Sequence, residues 1–367
     1  KIYRRFSHSI NNIYKYIYIH GSQGVSKMDK IDARKKLRSL IRRAEEKAKF
    51  DKCVLCGKPQ SSFCNSHSIP QMVLKTIATK GKLLQPGLLM DSEIFDNEKG
   101  INNTGTFHFI CRECDGKYFK TYEDPKNLLE YPSDKIMAEI ALKNMLLMLS
   151  KRYNELALFD IVQDEEQALI NKEIMDEDKN LDIRDYSGDM DLYKKIIEND
   201  LKGGFRILFW EKLPYVTPIA TQTPITIYKD MEGTILNDIY DPDHNKYMES
   251  VHLCVFPIDT ETIVLLFHHK KDKSYRRLWH QLNSISKEKR IQYINYLIFA
   301  YTENYYFSKE IEPILKNSKY LQLLSREANG ISNFGITSLE EMIMEPTYVP
   351  ITSEQIPNFL SEQYKLV

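Results

Sequence analysis

Four cysteines stand in two pairs of the same spacing, Cys53-Val54-Leu55-Cys56 and Cys111-Arg112-Glu113-Cys114. A Cys-x-x-Cys turn offers two thiolates to one side, and two such turns complete the tetrahedron of soft ligands that Zn2+ prefers. The gap of 54 residues between the pairs exceeds that of a compact zinc ribbon, so folded substructure must intervene. Six cysteines in 367 residues are too few for a disulfide scaffold. Cys64 could replace one ligand, but core packing is the simpler expectation, and Cys254 in its apolar strand belongs in a core. Chance pairing of buried thiols or a redox pair is the alternative, and the occurrence of both pairs in one region argues against it.

Between the pairs runs Phe63-Cys64-Asn65-Ser66-His67-Ser68-Ile69-Pro70. A loop, Gly100-Ile101-Asn102-Asn103-Thr104-Gly105, then leads through Phe107-His108-Phe109-Ile110 into Cys111–Cys114 and Asp115. In this order of elements, over about residues 50–125, the sequence resembles the HNH (His-Me finger) endonucleases of the treble-clef, four-cysteine type. In that family a cysteine knuckle precedes a strand ending in His-x-x-Pro. An Asn-bearing loop and a second strand lead to another knuckle opening a helix, and the residue after the last cysteine helps bind the catalytic metal. The resemblance therefore implies His67 as general base, Asn103 as a catalytic-site residue and Asp115 as a ligand of Mg2+ or Mn2+. Three departures are visible: Ser66 stands where many members carry Asp or His, Asp115 replaces the usual His or Asn, and the span from His67 to Cys111 is longer. That extra length implies an inserted helix near 71–79 and a strand-loop.

The chemistry has its own physical logic. Phosphodiester hydrolysis needs a base for water, positive charge near the phosphorane-like state and help for the leaving oxygen. A neutral imidazole accepts a proton near pH 7, which suits His67. Asp115 and Glu123, eight residues apart on a similar helical face, would offer oxygen ligands to a hard divalent ion. Asn103, or its neighbour Asn102, could orient the imidazole through its side-chain carbonyl. The bland alternatives are a helix-start carboxylate for Asp115, an exposed helical Glu123 and a packed or surface His67. His108, alternating with two phenylalanines, is a second-choice ligand, and His268-His269 reads as a polar strand end.

These residues need elements to hold them. From Met28 to Phe50 the apolar residues Ile31, Ala33, Leu37, Leu40, Ile41, Ala44 and Ala48 recur every three or four positions, with Arg34, Lys35, Arg38, Arg42 and Arg43 among the cations between them. This is a basic amphipathic helix able to grip phosphates. A long helix is expected from Ser133, a plausible N-cap, to about Phe159. At Gly203-Gly204 the period falls from 3.6 to 2, and 205–210, 224–228, 251–256 and 262–267 read as strands. Helices follow from Tyr275 to about Leu324, with Ser286 as a cap.

The expected class is thus α+β, a small zinc-bound ββα (treble-clef) module joined to a larger mixed helical and antiparallel-sheet domain. The expected divisions are a poorly ordered segment 1–27, the basic helix 28–50, the module 51–130, a helical connector 131–202, an α+β domain 203–335 and a tail 336–367. Composition sets the outer limits. A hydrophobic fraction of 42% excludes a mainly disordered chain. No apolar run reaches the roughly 18 residues of a membrane helix, so a soluble, cytoplasmic protein is expected. Formal net charge is zero, yet residues 1–50 carry 14 Lys/Arg against 4 Asp/Glu, so the remainder is acidic. A basic end on an acidic body points to a polyanion at that end.

The expectation for function is a metal-dependent nuclease hydrolysing DNA, with RNA left open, serving in bacterial or anti-phage defence or a mobile element. The acidic body would regulate it, recognise a protein partner or self-associate. No Gly-rich phosphate loop is present, so no nucleotide cofactor is expected. Two rivals keep the cysteines and drop His67: a non-catalytic zinc-finger module binding nucleic acid or protein, and a structural zinc clasp with the basic helix packed on the acidic body.

Overall fold

The computed structural model describes residues 13, 17, 29–86, 97–166, 172–238, 246–328 and 351–367. The expectations for 1–27 and for the first part of the tail lie outside these residues, apart from Ile13 and Ile17.

The basic helix forms as α1, Lys30–Lys47, capped where the Asp29 side chain accepts from the Ile31 amide. It buries Ala33, Leu37, Leu40 and Ala44 against Ala157, Leu158, Ile161 and Val162. Those four belong to α5, Asp134–Glu166, whose first turn is capped by the Ser133 hydroxyl accepting from the Ile136 amide at 3.3 Å. An antiparallel neighbour, α6 (Lys172–Glu198), completes the expected helical connector and packs along α5. Four of its residues, Tyr186, Met190, Tyr193 and Ile196, are buried in the main core.

Between the cysteine pairs lie β1 (Ser66–His67), α2 (Gln71–Ile77), β2 (Lys82–Gln85), β3 (Asn97–Gly100) and β4 (Thr106–Phe107). Helix α3, Arg112–Phe119, begins within the second pair, and a short α4, Pro125–Leu128, comes after it. Strands β5 (Phe205–Leu213), β6 (Ile219–Ile225), β7 (Val251–Ile258), β8 (Glu261–His269) and β9 (Tyr305–Phe307) come from the C-terminal half. Helices α7 (Arg276–Ser284), α8 (Lys287–Tyr301), α9 (Glu312–Asn317) and α10 (Lys319–Ala328) complete the set. Ser286 caps α8 as its sequence position predicts, its hydroxyl accepting from the Lys289 amide.

Seven strands form one antiparallel sheet in the order β3-β2-β9-β6-β7-β8-β5. Alternation along β7 explains its placement as a middle layer. Val251, Leu253 and Val255 enter the core shared with α7 and α8, while Cys254 and Phe256 enter the core shared with α5, α6 and the cysteine-rich segment. Strand β6 starts at Ile219, earlier than the sequence suggests, because its first residues pair with β9, a partner from nearly ninety positions away. Strands β2 and β3, inside the expected module, extend this same sheet through Leu84 opposite Phe307. The cysteine-rich segment is therefore built into the sheet's edge. Among the described residues, no helix is long and apolar enough to cross a membrane.

Candidate metal centre and the histidine beside it

The two cysteine pairs meet. The Sγ atoms of Cys53, Cys56, Cys111 and Cys114 all lie within 4.8 Å of one another, with Cys56 and Cys111 at 3.9 Å. Thiolates at the corners of a tetrahedron with Zn–S arms of 2.3 Å would be about 3.8 Å apart. The four cysteines can hold a zinc ion. The first knuckle closes through the Gly57 amide donating to the Cys53 carbonyl at 2.7 Å, with Gly57 at φ +70°. The second opens α3: the Cys114 amide donates to Cys111 Sγ at 3.5 Å and the Cys111 amide to Cys53 Sγ at 3.3 Å. Amide donors of this kind favour thiolate charge at a helix start. Lys194 of α6 reaches across to the Leu55 carbonyl at 2.7 Å, and Tyr118 and Lys117 of α3 both contact Glu198.

The two-stranded ladder β1–β4 stands between the knuckles, Ser66 opposite Phe107 and His67 opposite Thr106. At its end the Ser68 amide donates to the Gly105 carbonyl at 2.7 Å. His67 is half-buried, and its Nε2 lies 3.2 Å from the Ile101 carbonyl. A carbonyl accepts only, so Nε2 carries the hydrogen and Nδ1 keeps the lone pair. Burial lowers the His67 pKa, opposed by that carbonyl, while Lys143 lowers it further and Glu123 and Asp115 raise it. The expected orienting role of Asn103 is not what the geometry shows. Asn103 is exposed and faces a cleft on another side of the loop, lined also by Glu45, Lys99 and Tyr306. Its neighbour Asn102 accepts from Gln71 Nε2 at 2.9 Å.

Asp115 and Glu123 do converge, but on an amine. The Lys143 ammonium lies 3.5 Å from Asp115 Oδ1 and 2.6 Å from Glu123 Oε1, and its side chain is 1% exposed. Ser66 Oγ donates to the same Asp115 oxygen at 2.7 Å. A divalent ion bound by this carboxylate pair would sit against a fixed positive charge, so the two residues do not fit the Mg2+ or Mn2+ expected from the sequence. Among the described residues, the four cysteines are the one group of three or more His, Cys, Asp or Glu side chains close enough to share an ion.

Lys143, absent from the residues singled out above, is the buried cation that both carboxylates face. The signal was present: it lies three positions after Ile140 and seven after Ile136, on the apolar face of a long helix. A lysine at that position must be buried, and a buried lysine needs anionic partners.

Cys64 donates to the Ile110 carbonyl and stays outside the four-thiol group, with burial pushing its thiol up to about 12. Cys254 is a core residue, as expected. His108 is exposed. His268 is buried rather than a polar strand end, its Nδ1 hydrogen bonded to the His269 carbonyl. The helix cations Arg38 and Arg42 are exposed, Lys35 pairs with Asp32 at 3.1 Å, and Arg34 and Arg43 have partners within the fold. No family model, curated protein or solved structure matches the chain.

Proposed function

We propose that this chain is a phosphodiester hydrolase acting on DNA, with a treble-clef (ββα) zinc site around residues 53–123 as its chemical centre and His67 as general base. The observation that carries it is the tautomer forced on His67. With Nε2–H spent on the Ile101 carbonyl, Nδ1 is left as an acceptor on a half-open ring, held by a strand pinned between the two cysteine knuckles. A neutral imidazole so placed takes a proton from an attacking water. Zinc, held by Cys53, Cys56, Cys111 and Cys114, supplies rigidity to that strand and no chemistry. Arg38 and Arg42 on α1, with Arg112 and Lys120 on or beside α3, are exposed cations suited to backbone phosphates, which gives affinity that falls with salt.

The test is cleavage of supercoiled plasmid by wild type and His67→Ala. We expect the variant to lose cutting by about a hundredfold or more while keeping its zinc and its unfolding midpoint. Undiminished cutting by His67→Ala would remove the mechanism. The second reading, a zinc-stapled binding module without catalysis, draws on the Lys143 bridge, which ties up both nearby carboxylates. It predicts retained, salt-sensitive DNA binding and no cutting by either protein.

A further inference from the structure

Lys143 lies in the first third of α5 with its side chain buried. Its ammonium stands 4.1 Å from the centroid of the Phe119 ring and 5.7 Å from that of Tyr122. The two rings flank it, and the two carboxylates, one from α3 and one from the turn after it, face it. Both oxygens lie at ion-pair distance, and Asp115 has its second contact from Ser66. Burying an ammonium this completely is tolerated only with anionic partners, and here the fold provides two. In turn, two carboxylates brought so near each other need a cation.

We infer that the Lys143 ammonium occupies, from within the fold, the place of the divalent cation between Asp115 and Glu123, so that the wild-type centre takes up zinc at its cysteines and no second metal. The lysine is a positioning residue: it holds Asp115, and through Ser66 the strand bearing His67, at the spacing a metal would otherwise impose. The ammonium is tethered to α5, so the site is assembled without metal uptake. Removing that charge while keeping the length of the side chain leaves an acidic pair with room and appetite for a hard dication.

The inference concerns the centre of the proposed hydrolase but is read without substrate, so its failure and that of the nuclease reading are separate results. Zinc-loaded full-length protein is titrated with Mn2+, and free Mn2+ is followed by its electron paramagnetic resonance signal. Wild type should leave millimolar Mn2+ free. Lys143→Met should bind one Mn2+ with an affinity raised by at least about tenfold, and Lys143→Met combined with Asp115→Asn should lose it. Lys143→Gln, whose neutral amide can still donate to a carboxylate, serves if the Met variant does not fold, and should show the same gain. Wild type binding one Mn2+ that Asp115→Asn abolishes would overturn the inference. So would folded Lys143→Met or Lys143→Gln protein that binds no more Mn2+ than wild type.

Discussion

His252 lies wholly inside the fold, where Asn144 Nδ2 approaches its Nδ1 at 3.0 Å and Tyr193 Oη its Nε2 at 3.3 Å. An amide nitrogen donates, so Nδ1 accepts and the ring is neutral, its hydrogen on Nε2 facing the tyrosine oxygen. Burial, with help from His268, Lys271 and His269, pushes its pKa down to about 3. In the unfolded chain the same ring protonates near pH 6.5. The unfolded state therefore binds more protons between those values, and this contribution to stability is whole above pH 6.5 and is lost as pH falls towards 3. Asp272 acts in the opposite direction. Burial, reinforced by Asp189 and Glu249 against Lys271, raises it to about 8, so its contribution is whole below about pH 3.9 and is lost as pH rises through 8. Between pH 4 and 6.5 the two slopes oppose each other. His252→Gln should unmask Asp272: relative to wild type, its urea-unfolding free energy should rise by up to about 1.4 kcal/mol per pH unit on acidification from pH 6.5 to 5. Parallel curves for the two proteins would contradict the assignment.

The β1–β4 ladder depends on one backbone position for its approach to the large sheet. Gly105 sits at φ +61°, and a Cβ there would fall 2.6 Å from Tyr306 Oη and 2.7 Å from Ser68 Oγ. Both oxygens belong to a buried chain in which Tyr306 donates to Asn304 Oδ1 at 3.1 Å and Asn304 Nδ2 donates to the Gln222 carbonyl at 2.6 Å. Little there can move aside. Gly105→Ala should cost about 1–3 kcal/mol in urea unfolding and shift His67 relative to Ile101, so that the proposed DNA cleavage falls while the zinc content holds. Unchanged stability would mean that the loop relaxes freely. Elements of this kind differ in how far the sequence announces them. Helices α1 and α5 and strands β7 and β8 follow from local periodicity, and the caps at Ser133 and Ser286 from residue type. The meeting of the cysteines was legible because zinc chemistry fixes both number and spacing. What the sequence could not display was pairing at a distance. Nothing in Lys82–Gln85 indicates that its partner is Tyr305–Phe307, and nothing in Asn103 reveals that a carbonyl two residues earlier takes its role. Those choices are made by tertiary packing, which local periodicity does not encode.

At the scale of the molecule, the cysteine-rich segment and the C-terminal sheet share one interior. Cys53, Cys111 and Cys114 belong to the same buried cluster as Phe205, Phe256 and Phe267 of the sheet and Ile140 and Leu146 of α5. Strands β2 and β3, which lie between the two cysteine pairs, are hydrogen bonded into the sheet through β9. Lys194 ties α6 to the first knuckle, and the Tyr118–Glu198 contact ties its end to α3. A candidate metal centre wired into the core in this way should not melt alone. Metal-binding free energy in such a site acts as folding free energy, so losing the ion should weaken the chain as a whole. Cys111→Ser removes one thiolate and also the sulfur that accepts from the Cys114 amide at the start of α3. It should abolish stoichiometric zinc and lower the thermal midpoint by many degrees. Calorimetry should still record a single transition, coincident with loss of far-ultraviolet circular dichroism. Two separated transitions, with a sheet that melts at the wild-type temperature after the metal has gone, would show instead that the centre is a detachable module. A zinc-free variant with an unchanged midpoint would show that packing holds the four thiols together without any ion.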